Sequence, residues 1–363
     1  MRYLVWIDVL KGVGIAFIVL GHILGAGCHL TTGSAQSFCT YGYKYFYAFH
    51  VPLFFFISGL TFKKQEWGCF LKSKCYRLLI PYMSFGLFSI LIYCVLDYFI
   101  ISVLQQEGTT AYYQEKAQCV PLVDQLFDLF LGGVAKHSFV ANSVLWFIPV
   151  LFILEVVMQG VIRIIKGAWR LVVFGLGVYF CFFMFFVSIP KLPWGMDVVP
   201  KYIPFFILGK IWFREPVVIA KWHILLSIVF ILGFGSLAVI NPYQYSPKTI
   251  GQYGINLFLA SGNIIAWVLF STAWNCVSLR FLGRISLVIM LCHKFPMLFI
   301  QNVVSPIRLL FKASIPSLIF ATGLTFSFTM GCCIGAYFLL QHWGPWIIGE
   351  KGHDKQEAKP VNS

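Results

Sequence analysis

Apolar residues in this chain come in blocks about twenty residues long, and within a block they do not alternate with polar ones. The blocks fall at residues 4–25, 45–62, 79–104, 143–162, 171–189, 199–213, 222–240, 254–277, 285–304 and 316–340. A helix of about 20 residues crosses a hydrocarbon core about 30 Å thick. Barrel strands would instead show segments of about ten residues with alternating polarity. The pattern predicts an all-α, polytopic integral membrane bundle of about ten transmembrane helices. The block at 199–213 is short, and Lys201 and Lys210 near its ends can snorkel to the interface. Residues 105–142 form the longest stretch between blocks, and 120–135 within it are apolar enough to lie along the membrane surface or re-enter it.

Composition agrees. Of the 363 residues 59% are hydrophobic and 11% charged, against about 25% charged in a soluble domain. The mean hydropathy is +0.82. No soluble globule of this length hides so much apolar surface, and disorder, coiled coil and collagen are excluded by the same figures.

The formal net charge of +14 would suggest nucleic acid as a partner in a soluble protein. Here the basic residues cluster in short segments between apolar blocks, so they read as topology, with the lipid bilayer as partner and no nucleic acid. With the N-terminus inside, 17 of the 27 Lys and Arg fall on the inner side and 8 on the outer, while Lys11 and Lys294 lie within spans. This places both termini in the cytoplasm and the chain in the cytoplasmic (inner) membrane. Asp8 and Lys11 interrupt the first block, which a removable signal peptide would keep clean, so the first span is expected to stay. A membrane-embedded domain over 1–345 and a polar cytoplasmic tail over 346–363 follow. No internal repeat is visible.

Ionisable groups inside spans cost about 2.5–3.5 kcal/mol each on insertion scales, so each needs a reason. The first span carries Asp8, Lys11 and His22. At about 100° per residue, His22 lies about 20° from Lys11 and about 40° from Asp8, so the three share one face, with about 16 Å along the axis between Lys11 and His22. Their structural reading is a satisfied polar seam. Their chemical reading is a site. His50 opens the second span beside Pro52, at a depth its antiparallel neighbour His22 can match. Glu155, Asn256, Asn263 and His293 are further in-span polar groups, and Lys294 and Pro296 predict a helix break after His293. Lys74 and Arg77 belong to the most basic inner segment, 63–78, either as membrane anchors or as ligands for phosphate oxygens. The 11 cysteines show no metal-site spacing, and no metal is expected. Cys28 and Cys39 share a predicted outer loop, where an oxidising compartment would permit a disulfide.

In order along the chain, these motifs resemble the membrane-bound acyltransferase 3 family, and particularly its fucose 4-O-acetylase-like branch. Asp8-Val9-Leu10-Lys11-Gly12 followed by His22 is similar to the family's opening, a basic residue, ten residues and then His. Residues 50–59, which include Ser58, resemble its His-x-Pro-Leu-Phe-Phe-Phe-x-Ser-Gly segment, and Arg77 to Tyr82 its Arg-Leu-x-x-Pro-Tyr segment. Trp146-Phe147 with Glu155, the glycine-ended run Phe205 to Gly209, and Gly283-Arg284-Ile285-Ser286 followed by His293 complete the set. The match runs from about residue 3 to 345. Lys74 stands where the family often has an arginine, and Met290 where it often has an aromatic residue.

The resemblance implies acyl transfer, usually of acetyl from acetyl-coenzyme A as co-substrate, to a hydroxyl of a surface or lipid-linked carbohydrate. His22 would act as general base or acyl carrier, with Lys11 and Asp8 beside it. Lys74 and Arg77 would hold the coenzyme phosphates. His50, Ser58, Trp146, Glu155 and His293 would bind substrate. An imidazole suits the task because a sugar hydroxyl is a poor nucleophile at neutral pH and needs a base that titrates there. The competing reading is a transporter or flippase for a lipid-linked saccharide, which would also use intramembrane charge and broken helices.

Overall fold

The computed structural model describes residues 5–102, 121–132, 140–185, 191–212, 221–244, 247–303, 307, 310–311 and 314–350. Among them the regular structure is helical, with no strand. In lipid every backbone N–H and C=O must find its partner within the segment, which a helix provides. The chain runs through α1 (Val5–Leu30), α2 (Gly33–Tyr47), α3 (His50–Thr61) and α4 (Trp67–Lys74). A π turn at Cys75–Leu79 leads into α5 (Ile80–Ser102), followed by α6 (Leu122–Phe130). A 3-10 segment, Val140–Trp146, enters α7 (Phe147–Ile164). Next come α8 (Ala168–Phe185), α9 (Val199–Ile211), α10 (Lys221–Ile240) and α11 (Ile250–Ala273). The last helices are α12 (Val277–Arg284), α13 (Ser286–Cys292), α14 (Lys294–Val303) and α15 (Ile315–Trp343).

Seven helical runs among the described residues are long and apolar enough to cross a membrane: Val5–Leu30, Trp67–Ile92, Ala141–Ile164, Ala168–Phe185, Trp222–Ile240, Ile250–Ala273 and Ile315–Trp343. The other three predicted spans are shorter. The block at 45–62 breaks at Ala48–Phe49 and leaves α3 with 12 residues, and α9 has 13. The block at 285–304 breaks at His293 into α13 and α14, as Lys294 and Pro296 predict. Two segments expected as loops are helical instead. The outer loop between the first two spans is largely α2, and the basic inner loop 63–78 is helical from Trp67 onward. The start of the predicted polar tail is packed: Pro345–Ile348 forms a 3-10 turn with Ile348 buried, and the Tyr76 hydroxyl donates to the Glu350 carbonyl at 3.0 Å.

The exterior is apolar, and polar groups are set into the hydrophobic core. Asp8, His50, Glu155, Asn263, His293 and Thr325 are buried, while Leu225, Leu232, Phe320 and Leu339 are exposed. The short helix α6 shows this most sharply. Gln125 and Asp128 face inward at 2% and 3% exposure, and Val123, Phe127 and Phe130 face outward at 60% or more. Apolar surface on this scale requires a lipid solvent, and the chain is a multi-pass membrane protein.

Apolar burial does not drive helices together in lipid, so close packing must. Two crossings achieve it with paired glycines. At the crossing of α1 and α12, a Cβ on Gly12 would lie 2.0 Å from the Leu279 carbonyl oxygen, and one on Gly283 1.9 Å from that of Asp8. At the crossing of α3 and α9, a Cβ on Gly59 would lie 1.9 Å from the Phe206 carbonyl oxygen, and one on Gly209 1.9 Å from that of Phe56. The second crossing packs the two shortest predicted spans backbone to backbone.

Candidate active site

Two helix breaks assemble the histidines. The first, at Ala48–Phe49, lets α2 end on Tyr47 and α3 begin on His50. The second leaves His293 between α13 and α14. Tyr47 Oη lies 2.9 Å from His22 Nδ1, and the Tyr47 ring meets that of His50 edge-on with centroids 4.5 Å apart. The His22 and His293 rings lie 5.2 Å apart. Tyr47 thus touches both His22 and His50.

Backbone carbonyls set the tautomers of two of these imidazoles. His50 Nδ1 lies 2.8 Å from the Phe46 oxygen, and His293 Nδ1 lies 2.9 Å from the Ile289 oxygen and 3.0 Å from that of Met290. A carbonyl only accepts, so Nδ1 carries the proton in both rings and Nε2 offers a lone pair when the ring is neutral. His293 Nε2 is buried with no hydrogen-bond partner among the described residues. The break beside it is braced by residues that the sequence reading passed over. Asn142 Nδ2 donates to the Leu291 carbonyl at 3.0 Å and to Ser89 Oγ at 3.2 Å, and Lys294 Nζ donates to Ser143 Oγ at 2.8 Å. The available signal was an Asn-Ser pair immediately before the Trp146-Phe147 motif.

A cavity of about 270 Å³ opens on this cluster, lined among others by Tyr47, His50, Trp146, Tyr202, Asn241 and Gln244. His50 and Trp146, two of the expected substrate-binding residues, therefore face one space. Ser58 and Glu155 do not join them. They meet Lys74 in a second polar cluster, where Ser58 Oγ donates to Glu155 Oε1 at 2.7 Å, and Lys74 Nζ donates to Oε1 at 2.8 Å and lies 2.8 Å from Oε2. Lys74 and Arg77, expected side by side at the coenzyme, are separated: Lys74 turns inward to Glu155, and Arg77, on the π turn, is exposed. One helical turn along α7 from Glu155, Gln159 Nε2 donates to the Gln65 carbonyl, as does Arg163, whose guanidinium lies over the Trp67 ring at 5.3 Å.

Near the start of α1, Asp8 lies 4.0 Å from Lys11 and 3.4 Å from Arg284 Nε. The i,i+3 pair was legible in the sequence, and the Arg284 partner, 276 positions away, was not. Cys28 and Cys39 lie beside one another as free thiols, so the expected disulfide is not formed in this structure. Among the described residues no group of three or more His, Cys, Asp or Glu is arranged to hold a metal ion.

A helical bundle with polar groups set into its core, apolar flanks and a cavity that reaches the buried His50 imidazole defines a multi-pass membrane protein with a candidate site for proton transfer. The chain belongs to the acyltransferase 3 family, since the family model for this acyltransferase domain matches residues 4–337. It is thus a membrane acyltransferase. No curated protein matches the chain significantly. No solved structure does so either.

Proposed function

We propose that the chain is an O-acetyltransferase of the fucose 4-O-acetylase-like branch, transferring acetyl from acetyl-coenzyme A to a hydroxyl of a surface or lipid-linked carbohydrate. It would work from about ten crossings of the cytoplasmic membrane, with both termini in the cytoplasm. The observation that carries this reading is the 2.9 Å contact of His22 with Tyr47, which lines, with His50, a cavity of aromatic and amide side chains. With its Nδ1–H donating to Tyr47 Oη, His22 presents Nε2 to the acceptor. The acceptor hydroxyl gives its proton to Nε2 as its oxygen attacks the thioester carbonyl. The C–S bond then breaks, and the imidazolium returns the proton to the coenzyme thiolate, leaving the acetyl ester and the free thiol. His50 and His293, each with a lone pair on Nε2, orient the acceptor hydroxyl. Arg77 is the exposed cation suited to the coenzyme phosphates. Lys74 is held by Glu155, and Lys11 and Asp8 fix the register of α1 that carries His22.

The test is turnover of radiolabelled acetyl-coenzyme A by the purified full-length protein in nanodiscs, with bacterial surface glycans as acceptors. His22→Ala should lower kcat by about 10²–10⁴ while the protein stays folded and inserted. Near-normal turnover would remove His22 from the chemistry. Movement of lipid-linked saccharide across vesicles without ester formation would favour the flippase reading.

A further inference from the structure

The cavity that reaches His50 continues into a second one of about 290 Å³. Ala48, Pro52, Tyr202, Gln244 and Asn256 line both, so the two are lobes of one cleft. The first lobe ends on Tyr47 and His50. The second ends on Tyr179, Phe183, Tyr253 and Lys201.

The second lobe has a surface for a sugar ring. Phe183 and Tyr253 are stacked, with centroids 3.6 Å apart and planes inclined by 19°, and the Tyr179 hydroxyl fixes this pair by donating to the Tyr253 carbonyl at 3.1 Å. Aromatic faces and edges attract the C–H face of a pyranose by dispersion, and amide groups reach its hydroxyls. The amides are held in place: Asn241 Nδ2 donates to Asn256 Oδ1 at 2.6 Å, and Gln244 Nε2 donates to the Lys44 carbonyl at 2.7 Å. Gln244 Oε1 is left buried with no hydrogen-bond partner among the described residues. An orphaned acceptor in a cavity wall is an address for a ligand hydroxyl.

Lys201 adds a charge. It is the single formally charged residue among those lining either lobe. Its ammonium lies over the Phe182 ring, 5.6 Å from the centroid. Among the described residues no carboxylate lies within 4.0 Å of it. Asp197 acts on it from farther away, and Asp197 Oδ1 accepts the Leu192 N–H at 3.0 Å. A cation in an aromatic wall, without a paired carboxylate, is placed to receive an anion from the cleft.

We infer that the second lobe is an acceptor subsite in which Lys201 binds an anionic group, a sugar carboxylate or a sugar phosphate, while the first lobe holds the hydroxyl to be acylated. The acceptor is then an acidic or phosphorylated saccharide long enough to span both lobes. This rests on the acyltransferase reading for the word acceptor, but its test measures binding alone and so fails independently of turnover.

The test is equilibrium binding to the full-length protein in nanodiscs, read by saturation-transfer NMR with three probes: glucuronic acid, glucose 1-phosphate and methyl glucoside. The wild type should bind at least one anionic probe about tenfold more tightly than methyl glucoside. Preference for glucuronic acid assigns a carboxylate, and preference for glucose 1-phosphate assigns a phosphate. Lys201→Met should abolish the preference, and Lys201→Arg should keep most of it. Binding of methyl glucoside serves as the folding control within each variant. If neither anion is preferred by the wild type, or if Lys201→Met keeps the preference, the subsite is overturned. Equal loss of all three probes in both variants would make Lys201 a structural residue and overturn it as well.

Discussion

At one end of this bundle Glu155 meets two donors, Ser58 and Lys74, both within 2.8 Å of its carboxylate. At the other end three histidines and a tyrosine converge, and there two ring nitrogens keep a lone pair that no backbone group uses. Both clusters lie largely inside the bundle, both join helices far apart in sequence, and both carry residues that read as site residues on sequence alone. The difference is what each has left over. A closed ion pair has its charges already matched, so it fastens helices without offering a reactive group. An imidazole anchored through Nδ1 is oriented and still unsatisfied on its outer edge, which is the condition of a base waiting for a substrate.

The comparison is open to direct attack. The largest effect is expected from Glu155→Ala, which leaves the half-buried Lys74 ammonium and the Ser58 hydroxyl without their acceptor and should cost about 3 kcal/mol of stability in detergent unfolding. The double change Lys74→Met with Glu155→Leu should recover most of that loss and retain acyl transfer. A folded but inactive double variant would mean that the closed cluster takes part in the chemistry, and the contrast would collapse. Next in size is Gly59→Ala, whose new methyl would meet the Phe206 carbonyl. A loss of about 1–3 kcal/mol is expected, and an unchanged melting temperature would show that α3 and α9 separate without penalty.

Tyr47→Phe sharpens the other side. It removes the hydroxyl from His22 while keeping the ring, and a hydrogen bond is worth about 0.5–1.5 kcal/mol. The expected outcome is a several-fold fall in kcat at constant KM, and an unchanged kcat would mean that His22 is oriented by something other than Tyr47. The smallest effect is expected from Arg284→Gln. Its side chain is 60% exposed, so the contact with Asp8 at 3.4 Å should be worth less than about 1 kcal/mol in thermal unfolding. A larger loss would place a third closed cluster beside the first.

How much of this was readable beforehand depended on distance along the chain. The stripe of Asp8, Lys11 and His22 follows from the helical period within one segment, and the long apolar blocks became the long helices. The break after His293 was marked by Lys294 and Pro296. The break at Ala48–Phe49 carries no proline of its own, so α2 and its terminal Tyr47 stayed hidden inside a continuous apolar reading. The direction of Lys74 was hidden for a different reason. Positive charge near a span end anchors by default, and only the buried carboxylate 81 positions later turns it inward. A buried Glu155 demands a cation, but several were available, and sequence does not choose among them.

The glycine crossings set a limit on how this chain can change. When a substitution collides with a neighbouring side chain, a second substitution that trims the neighbour restores the fit, so such sites drift in pairs. Gly12, Gly59, Gly209 and Gly283 each face a main-chain carbonyl, and no codon shortens a carbonyl. Repair would need the whole helix to move away, taking its buried polar groups with it. These four positions are therefore closed to stepwise compensation, whereas the exposed leucines and phenylalanines of α10 and α15, such as Leu225, Leu232, Phe320 and Leu339, can be exchanged among apolar residues one at a time.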